Sequence, residues 1–344
     1  MESAFLDICS GRRRGAGAAF LRGALRVAEI PYSAGMGLRN SLYDLAILKA
    51  TPLPHPTISV GNITTGGTGK TPIVSWLTAS LSAVGRHPAI LLRGYKGTDE
   101  QTVLATANPH CVVVANPDRV AGAKLAQNQD SQIDLFILDD AMQHRRVKRN
   151  LEIVVINARE PWGYGHVLPR GLLREPLSGL KRAGAFVITH FSEIAPASLK
   201  KIETTIRKHS AAPIFNSDHL LTGLDSANGS ARVPMSALAN KKYFVACGIG
   251  SPESFISLLS NFGGQLAGKR FFVDHHPFSD SDAVALKRDA EACGAEWVIV
   301  TQKDWAKLRV FDAAQSFVTA ALEIRFAGGH AQKLLELVLQ RIKP

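Results

Sequence analysis

The chain has 344 residues, 46% of them apolar and 20% charged, a balance that excludes a disordered polypeptide. One core seldom grows past about 250–300 residues, so two domains are expected. The 40 basic and 29 acidic residues leave a net charge of +11, which calls for nucleic acid, a phosphorylated substrate or an anionic membrane face, unless it is a solvated basic surface and no more.

In chain order, residues 15–30 read GAGAAFLRGALRVAEI. Phe20, Leu21, Leu25 and Ala28 recur at helical spacing, while Arg22, Arg26 and Glu29 fall largely off that stripe. Five arginines and no acid lie between Arg12 and Arg26. Such a helix either lies in a membrane interface, arginines on lipid phosphate, or packs on its own domain. No run reaches the roughly 18–20 apolar residues of a spanning helix, and no signal peptide is evident. The expectation is a cytosolic protein, or one that lies on a membrane without crossing it.

From residue 56 the chain alternates strands and helices. Strands are expected at 56–62, 87–95, 111–117, 133–140, 151–158 and 184–190, with helices at 71–84 and 118–128. The strands are continuous apolar runs, as in a parallel sheet covered on both faces. Residues 220–240 are rich in Gly, Ser, Asn and Pro and read as a linker. Strands then follow at 243–250, 270–278, 296–304 and 317–326, with a helix from Pro252 and a terminal helix over 330–342. The expected fold is α/β: a P-loop NTPase-like, mostly parallel sheet domain over 51–222, a smaller α/β domain over 223–344, and an amphipathic N-terminal segment over 1–50.

Thr64–Thr71 reads TTGGTGKT. It matches the end of the P-loop pattern GxxxxGK[ST] and lacks its first glycine, between a strand and a helix as the pattern requires. Gly66, Gly67 and Gly69 let backbone N–H groups approach phosphate; Thr65 and Thr68 complete the loop. Lys70 is placed for the β- and γ-phosphates and the Thr71 hydroxyl for Mg²⁺. Asp139 and Asp140 close the strand IDLFILDD, where a metal-holding carboxylate is expected. These features predict ATP and Mg²⁺. The four cysteines, Cys9, Cys111, Cys247 and Cys293, form no CxxC pair, which speaks against zinc or redox chemistry and suits a reducing compartment.

A P-loop does not choose between a kinase and a membrane-recruited ATPase switch, although Thr65 stands where switches of the partitioning class carry a signature lysine. A nucleic-acid ATPase would rest on charge alone, with aromatics at only 7%. The segments VGNITTGGTGKTP, RGYKG, LDDAMQHR, VLPRGLLREP, ACGIG, DHHPF and TQKDWAKL, in this order, resemble the tetraacyldisaccharide 4′-kinase family of lipid A biosynthesis. The resemblance implies two α/β domains with the site between them. It implies transfer of the ATP γ-phosphoryl group to the 4′-hydroxyl of a tetraacylated glucosamine disaccharide 1-phosphate. It places the N-terminal helix on the cytoplasmic face of the inner membrane, with no nucleic-acid partner. It carries a metal-side glutamate onto Glu175, the proton-accepting aspartate onto Asp99 in Gly97–Thr98–Asp99–Glu100, and its assisting histidine onto His275 or His276. Arg93, Arg170 and Arg174 are candidates for phosphate contact. Ala141 stands where the family often has Gly, and Gln302 where it often has Glu.

Overall fold

The computed structural model describes residues 2–94, 99–226, 232–250, 252–274 and 276–343. Along the chain come α1 (Glu2–Cys9), α2 (Ala16–Asp44), β1 (Thr57–Gly61), α3 (Lys70–Ala83), β2 (Pro88–Leu92), α4 (Asp99–Ala107), β3 (Val112–Ala115) and α5 (Arg119–Gln129). They are followed by β4 (Leu135–Asp139), β5 (Leu151–Asn157), β6 (Ala185–Thr189), α6 (Pro196–Arg207), β7 (Ile214–Ser226), β8 (Arg232–Pro234) and β9 (Lys242–Cys247). The last are α7 (Pro252–Ser260), β10 (Gln265–Phe271), α8 (Asp280–Ala292), β11 (Trp297–Thr301), α9 (Gln302–Leu308), β12 (Val318–Phe326) and α10 (His330–Arg341). The chain forms two compact units. The first comprises Met1–Arg93, Cys111–Asp218 and Phe326–Pro344; the second comprises Gly94–His110 and His219–Arg325.

In the first unit the strand order is β7-β6-β5-β1-β4-β2-β3, parallel at each pairing. Every residue of β1, β2, β4 and β6 is buried, which is why these strands are largely apolar without alternation, the exceptions being Thr57, Ser59, Asp139 and Thr189. Gly61 ends β1 where the chain after β4 crosses it. A Cβ there would stand 2.6 Å from the Met142 backbone nitrogen, so glycine is required for the approach.

Helix α2 runs past the expected end at residue 30 to Asp44, about 44 Å of helix. It packs on its own unit through polar side chains. Glu29 is buried and accepts from the Val167 N–H at 2.8 Å. Asn40 donates to Glu175 at 2.8 Å, and the Tyr32 hydroxyl to the Arg174 carbonyl at 3.0 Å. The apolar side faces outward instead: Phe20 is 79% and Val27 69% exposed, and Ile30 and Leu38 lie on the same stripe.

In the second unit the order is β10-β9-β11-β12, with the later half of β7 beside β12 and β8 antiparallel to β7. Alternate residues of β9 and β11 fill two cores. Tyr243, Val245 and Ile299 belong to one, and Phe244, Ala246, Val298 and Val300 to the other. Helix α8 starts on a capping box between Ser279 and Asp282.

Residues 220–226, expected as linker, are strand. Leu221 and Leu224 are buried, and Arg232 of β8 pairs with Asp225 at 2.6 Å, so tertiary packing overrides the turn-rich composition. The strand expected over 270–278 ends at Phe271. The one expected over 296–304 ends at Thr301, whose side chain accepts the Asp304 N–H and starts α9.

Candidate active site

The turn after β1 is shaped by two left-handed glycines, Gly66 at φ 98° and Gly69 at φ 83°. Gly69 caps α3, so the loop amides and the positive end of a 14-residue helix converge. The loop is braced from two sides. Thr65 N–H donates to the Leu172 carbonyl at 2.7 Å, and Arg174 N–H to the Ile63 carbonyl at 2.8 Å. This lays the VLPRGLLREP segment along the start of the loop. From the sheet, the buried Thr189 hydroxyl donates to the Thr68 carbonyl at 3.0 Å, and Asn157 Nδ2 to the Gly67 carbonyl at 3.3 Å. With those two carbonyls tied back to strand ends, the loop N–H groups are left for an anion.

Lys70 opens α3 and its ammonium lies 3.1 Å from Asn62 Oδ1 and 3.4 Å from Asp140 Oδ1. Arg174 Nη1 donates to the same Asp140 oxygen at 2.7 Å. Asp140 follows β4 with φ 51°, a left-handed conformation that a non-glycine residue holds only under constraint. Burial alone would raise the Asp140 carboxyl. Lys70 and Arg174 outweigh it and keep the group below the ordinary carboxylate value. Asp139 is buried at the end of β4, level with Val60 of β1. Beneath the pair lies Arg119, 1% exposed, whose Nη2 reaches the Asp139 carbonyl at 3.3 Å.

Loop, Lys70, Asp139, Asp140 and Arg174 therefore gather in one place. Glu175 has other company: its carboxylate accepts from Arg182 at 2.7 Å, Gln143 at 2.9 Å and Asn40 at 2.8 Å. Arg170 donates to the Cys9 carbonyl at 2.9 Å, which ties it to α1. Asn62, Gln143, Asn157 and Thr189 were not anticipated. The sequence signals were there: Asn62 and Gln143 lie inside quoted motifs, and Asn157 and Thr189 end parallel strands, the usual address for ligand-side residues.

In the second unit, Asp99 begins α4; its side chain, with Gly97, Thr98 and His275, lies outside the described residues. His276 is engaged. Its Nε2 is 3.2 Å from Asp282 Oδ2, and its ring stacks on Phe272 and meets the edge of Phe278. Asp304 is fully buried and accepts from Gly248 N–H at 3.1 Å and the Thr301 hydroxyl at 2.6 Å. Burial raises its carboxyl against these two donors.

For magnesium, the residues fit. The Asp139 and Asp140 carboxylates and the Thr71 hydroxyl are hard oxygen donors, and Asp140 is held ionised. Among the described residues no three His, Cys, Asp or Glu side chains form a metal cluster. An ion here must draw on nucleotide oxygens, as Mg²⁺ with its few protein ligands does.

The model of the tetraacyldisaccharide-1-P 4′-kinase family, LpxK, matches residues 21–343. The chain belongs to that family. It is 36% identical over 307 residues to the tetraacyldisaccharide 4′-kinase of Geobacter metallireducens, covering 83% of this chain and 88% of the relative. Against that of Anaeromyxobacter sp. (strain K) the identity is 34% over 317 residues, 86% of this chain and 83% of the relative. The crystal structure of "apo" form LpxK from Aquifex aeolicus in complex with ATP superposes with a TM-score of 0.76 at 28% identity, covering 94% of this chain and all of that one. Membership in this kinase family sets aside the ATPase-switch alternative. Among the described residues no helix is long and apolar enough to cross a membrane.

Proposed function

We propose that this chain phosphorylates the 4′-hydroxyl of a tetraacyl glucosamine disaccharide 1-phosphate with its Gly66–Thr71 loop and the Lys70–Asp140–Arg174 cluster as the transfer machinery. The chain is an ATP-dependent phosphotransferase of lipid A biosynthesis. The observation that carries the assignment of residues is Asp140, held at φ 51° with one carboxylate oxygen shared by Lys70 and Arg174. At 3.4 Å from Asp140 the Lys70 ammonium is loosely held and free to exchange that contact for the β- and γ-phosphates. Arg174 then remains to keep Asp140 in place.

Thr71, Asp139 and Asp140 would hold magnesium, which when bound neutralises charge on the phosphates. Glu175, with three donors of its own, is assigned instead to fixing Gln143 and α2 beside the loop. Asp99 accepts the proton of the sugar hydroxyl as that oxygen bonds to the γ-phosphorus and the bond to the β-phosphate oxygen breaks, releasing ADP. General-base help of this kind contributes about 10²–10⁴-fold. Because the His276 Nε2 is taken by Asp282, we assign the assisting role to His275.

The outward apolar stripe of α2, with Arg12, Arg13 and Arg14 preceding it, suits the surface of an anionic membrane, which we take to be the cytoplasmic face of the inner membrane. An acyl acceptor resident there accounts for a kinase with so greasy a surface helix. The test is phosphotransfer from ATP to detergent-dispersed lipid acceptor with Asp99→Ala and His275→Ala. Both should lose at least about 10²-fold in kcat with Tm unchanged. Full activity in Asp99→Ala would remove the base assignment and leave the P-loop assignment standing.

A further inference from the structure

At the amino ends of β1 and β5, opposite the P-loop, the first unit has an open cavity of about 410 Å³. Arg145, Lys148, Arg149, Arg182, Arg341 and Glu152 line it. Leu151 of β5 is in register with Ile58 of β1, and the loop begins only past Gly61. At about 3.3 Å per residue the strand-end residues that line it lie on the order of 13 Å from the loop. Arg182 is nearer, linked to Asn62 through Glu175 and Gln143, but Lys70, Asp139, Asp140 and Arg174 do not line the cavity.

Two of its guanidinium groups are fixed from behind. Arg145 is held by Asp44 at 2.7 Å, and Arg182 by Glu175 at 2.7 Å. Arg182 engages Glu175 through one terminal nitrogen, while Arg145 gives one to Asp44 and the other to the Asn40 carbonyl at 2.9 Å; each planar fork, already oriented, still has N–H donors to give. Lys148 and Arg341 are exposed and make no ion pair or side-chain hydrogen bond among the described residues. Glu152, the one acid, is buried and paired with Arg149, and its Oε1 has no hydrogen-bond partner among the described residues. Ala50 lines the same cavity, and the segment just before it leaves Leu45 70% and Ile47 64% exposed. Oriented guanidinium groups and two uncommitted cations, with exposed apolar side chains in the adjoining segment, are what a phosphate on an apolar carrier requires.

We propose that this cavity is a phosphate-binding site separate from the P-loop, with the phosphate held by Arg145, Arg182, Lys148 and Arg341. The phosphate is that of an anionic phospholipid headgroup, its chains against Leu45 and Ile47, or free phosphate; the chemistry of recognition is shared. The site stands whether or not the residue roles assigned to the transfer reaction hold.

The test uses the full chain with the P-loop filled by a non-hydrolysable ATP analogue. Phosphatidylglycerol vesicles, phosphatidylcholine vesicles and inorganic phosphate are titrated against the wild type, Lys148→Glu/Arg341→Glu, and a control of equal charge change on α6, Lys200→Glu/Lys201→Glu. The site predicts at least a tenfold weaker affinity for phosphatidylglycerol vesicles in the cavity variant, little change in the control, and unchanged phosphotransfer on detergent-dispersed acceptor. Loss of the inorganic-phosphate response alone, with vesicle binding intact, would identify free phosphate as the ligand. Equal loss in the cavity variant and the control, or no loss in either arm, would overturn the proposal.

Discussion

The Lys70–Asp140–Arg174 cluster of the first unit and the His276–Asp304 region of the second are both built from motif residues, yet they spend their polar groups differently. In the first, two cations share one carboxylate oxygen, the backbone at Asp140 is left-handed, and Lys70 stands 3.4 Å from its partner. Such a cluster has charge to offer a ligand. In the second, His276 is committed to Asp282 of the α8 capping box, and Asp304 to Thr301 and Gly248 at the start of α9. Those groups hold their own unit together. Motif residues thus serve chemistry in one unit and folding in the other, and their hydrogen-bond partners tell which.

The contrast can be broken at several points. The largest expected effect is in Lys70→Ala, which removes the cation aimed at the phosphates. Transfer should fall by at least about 10³-fold with Tm unchanged, because the lysine contributes little to packing. Arg174→Ala should cost about 10²-fold in kcat by releasing Asp140, read in steady-state kinetics, again with little change in Tm. A comparable loss of Tm in either variant would place these residues with the structural ones.

Acid stability tests the ground under the acidic pair. Burial, with Arg119 and Arg149 nearby, pushes His144 down to about 4. The unfolded chain binds that proton below the ordinary value of about 6.5, and the folded chain does not until about 4. Stability is thus lost as pH falls through this window. In denaturant titrations at pH 7 and pH 5, His144→Gln should escape about 2 kcal/mol of the loss that the wild type suffers. An equal loss in both proteins would show that His144 is protonated in the fold.

Two smaller effects sharpen the comparison. His276→Gln should lower stability by about 1 kcal/mol, the scale of one hydrogen bond, and change kcat less than tenfold. A 10²-fold drop in kcat at constant Tm would instead make His276 the partner of the base. Thr189→Val frees the Thr68 carbonyl, so KM for ATP should rise by about three- to tenfold with kcat less affected, again the worth of one hydrogen bond.

Much of this was legible in the sequence because buried parallel strands and a glycine turn leave local signatures. β1, β4 and β5 are largely apolar and buried along their length, and GKT opens α3 a few residues after β1. What the sequence withheld depends on distant partners. Nothing local in residues 220–226 says that β8 and β12 will flank them, so a Gly- and Ser-containing stretch passed for linker. The periodicity of α2 announces two faces and not which one is buried. Glu29 and Asn40 turn inward because Val167 N–H and Glu175 await them across more than 130 residues. Glu175 was placed by motif near the metal, and its three donors come from Asn40, Gln143 and Arg182, which no spacing rule connects.

The most direct test follows the label of γ-³²P-ATP when the wild-type chain meets a tetraacyl disaccharide 1-phosphate in detergent. The account predicts label in the lipid, dependent on divalent magnesium and abolished by Lys70→Ala. Label appearing only as inorganic phosphate, at the same rate with and without the lipid, would contradict it.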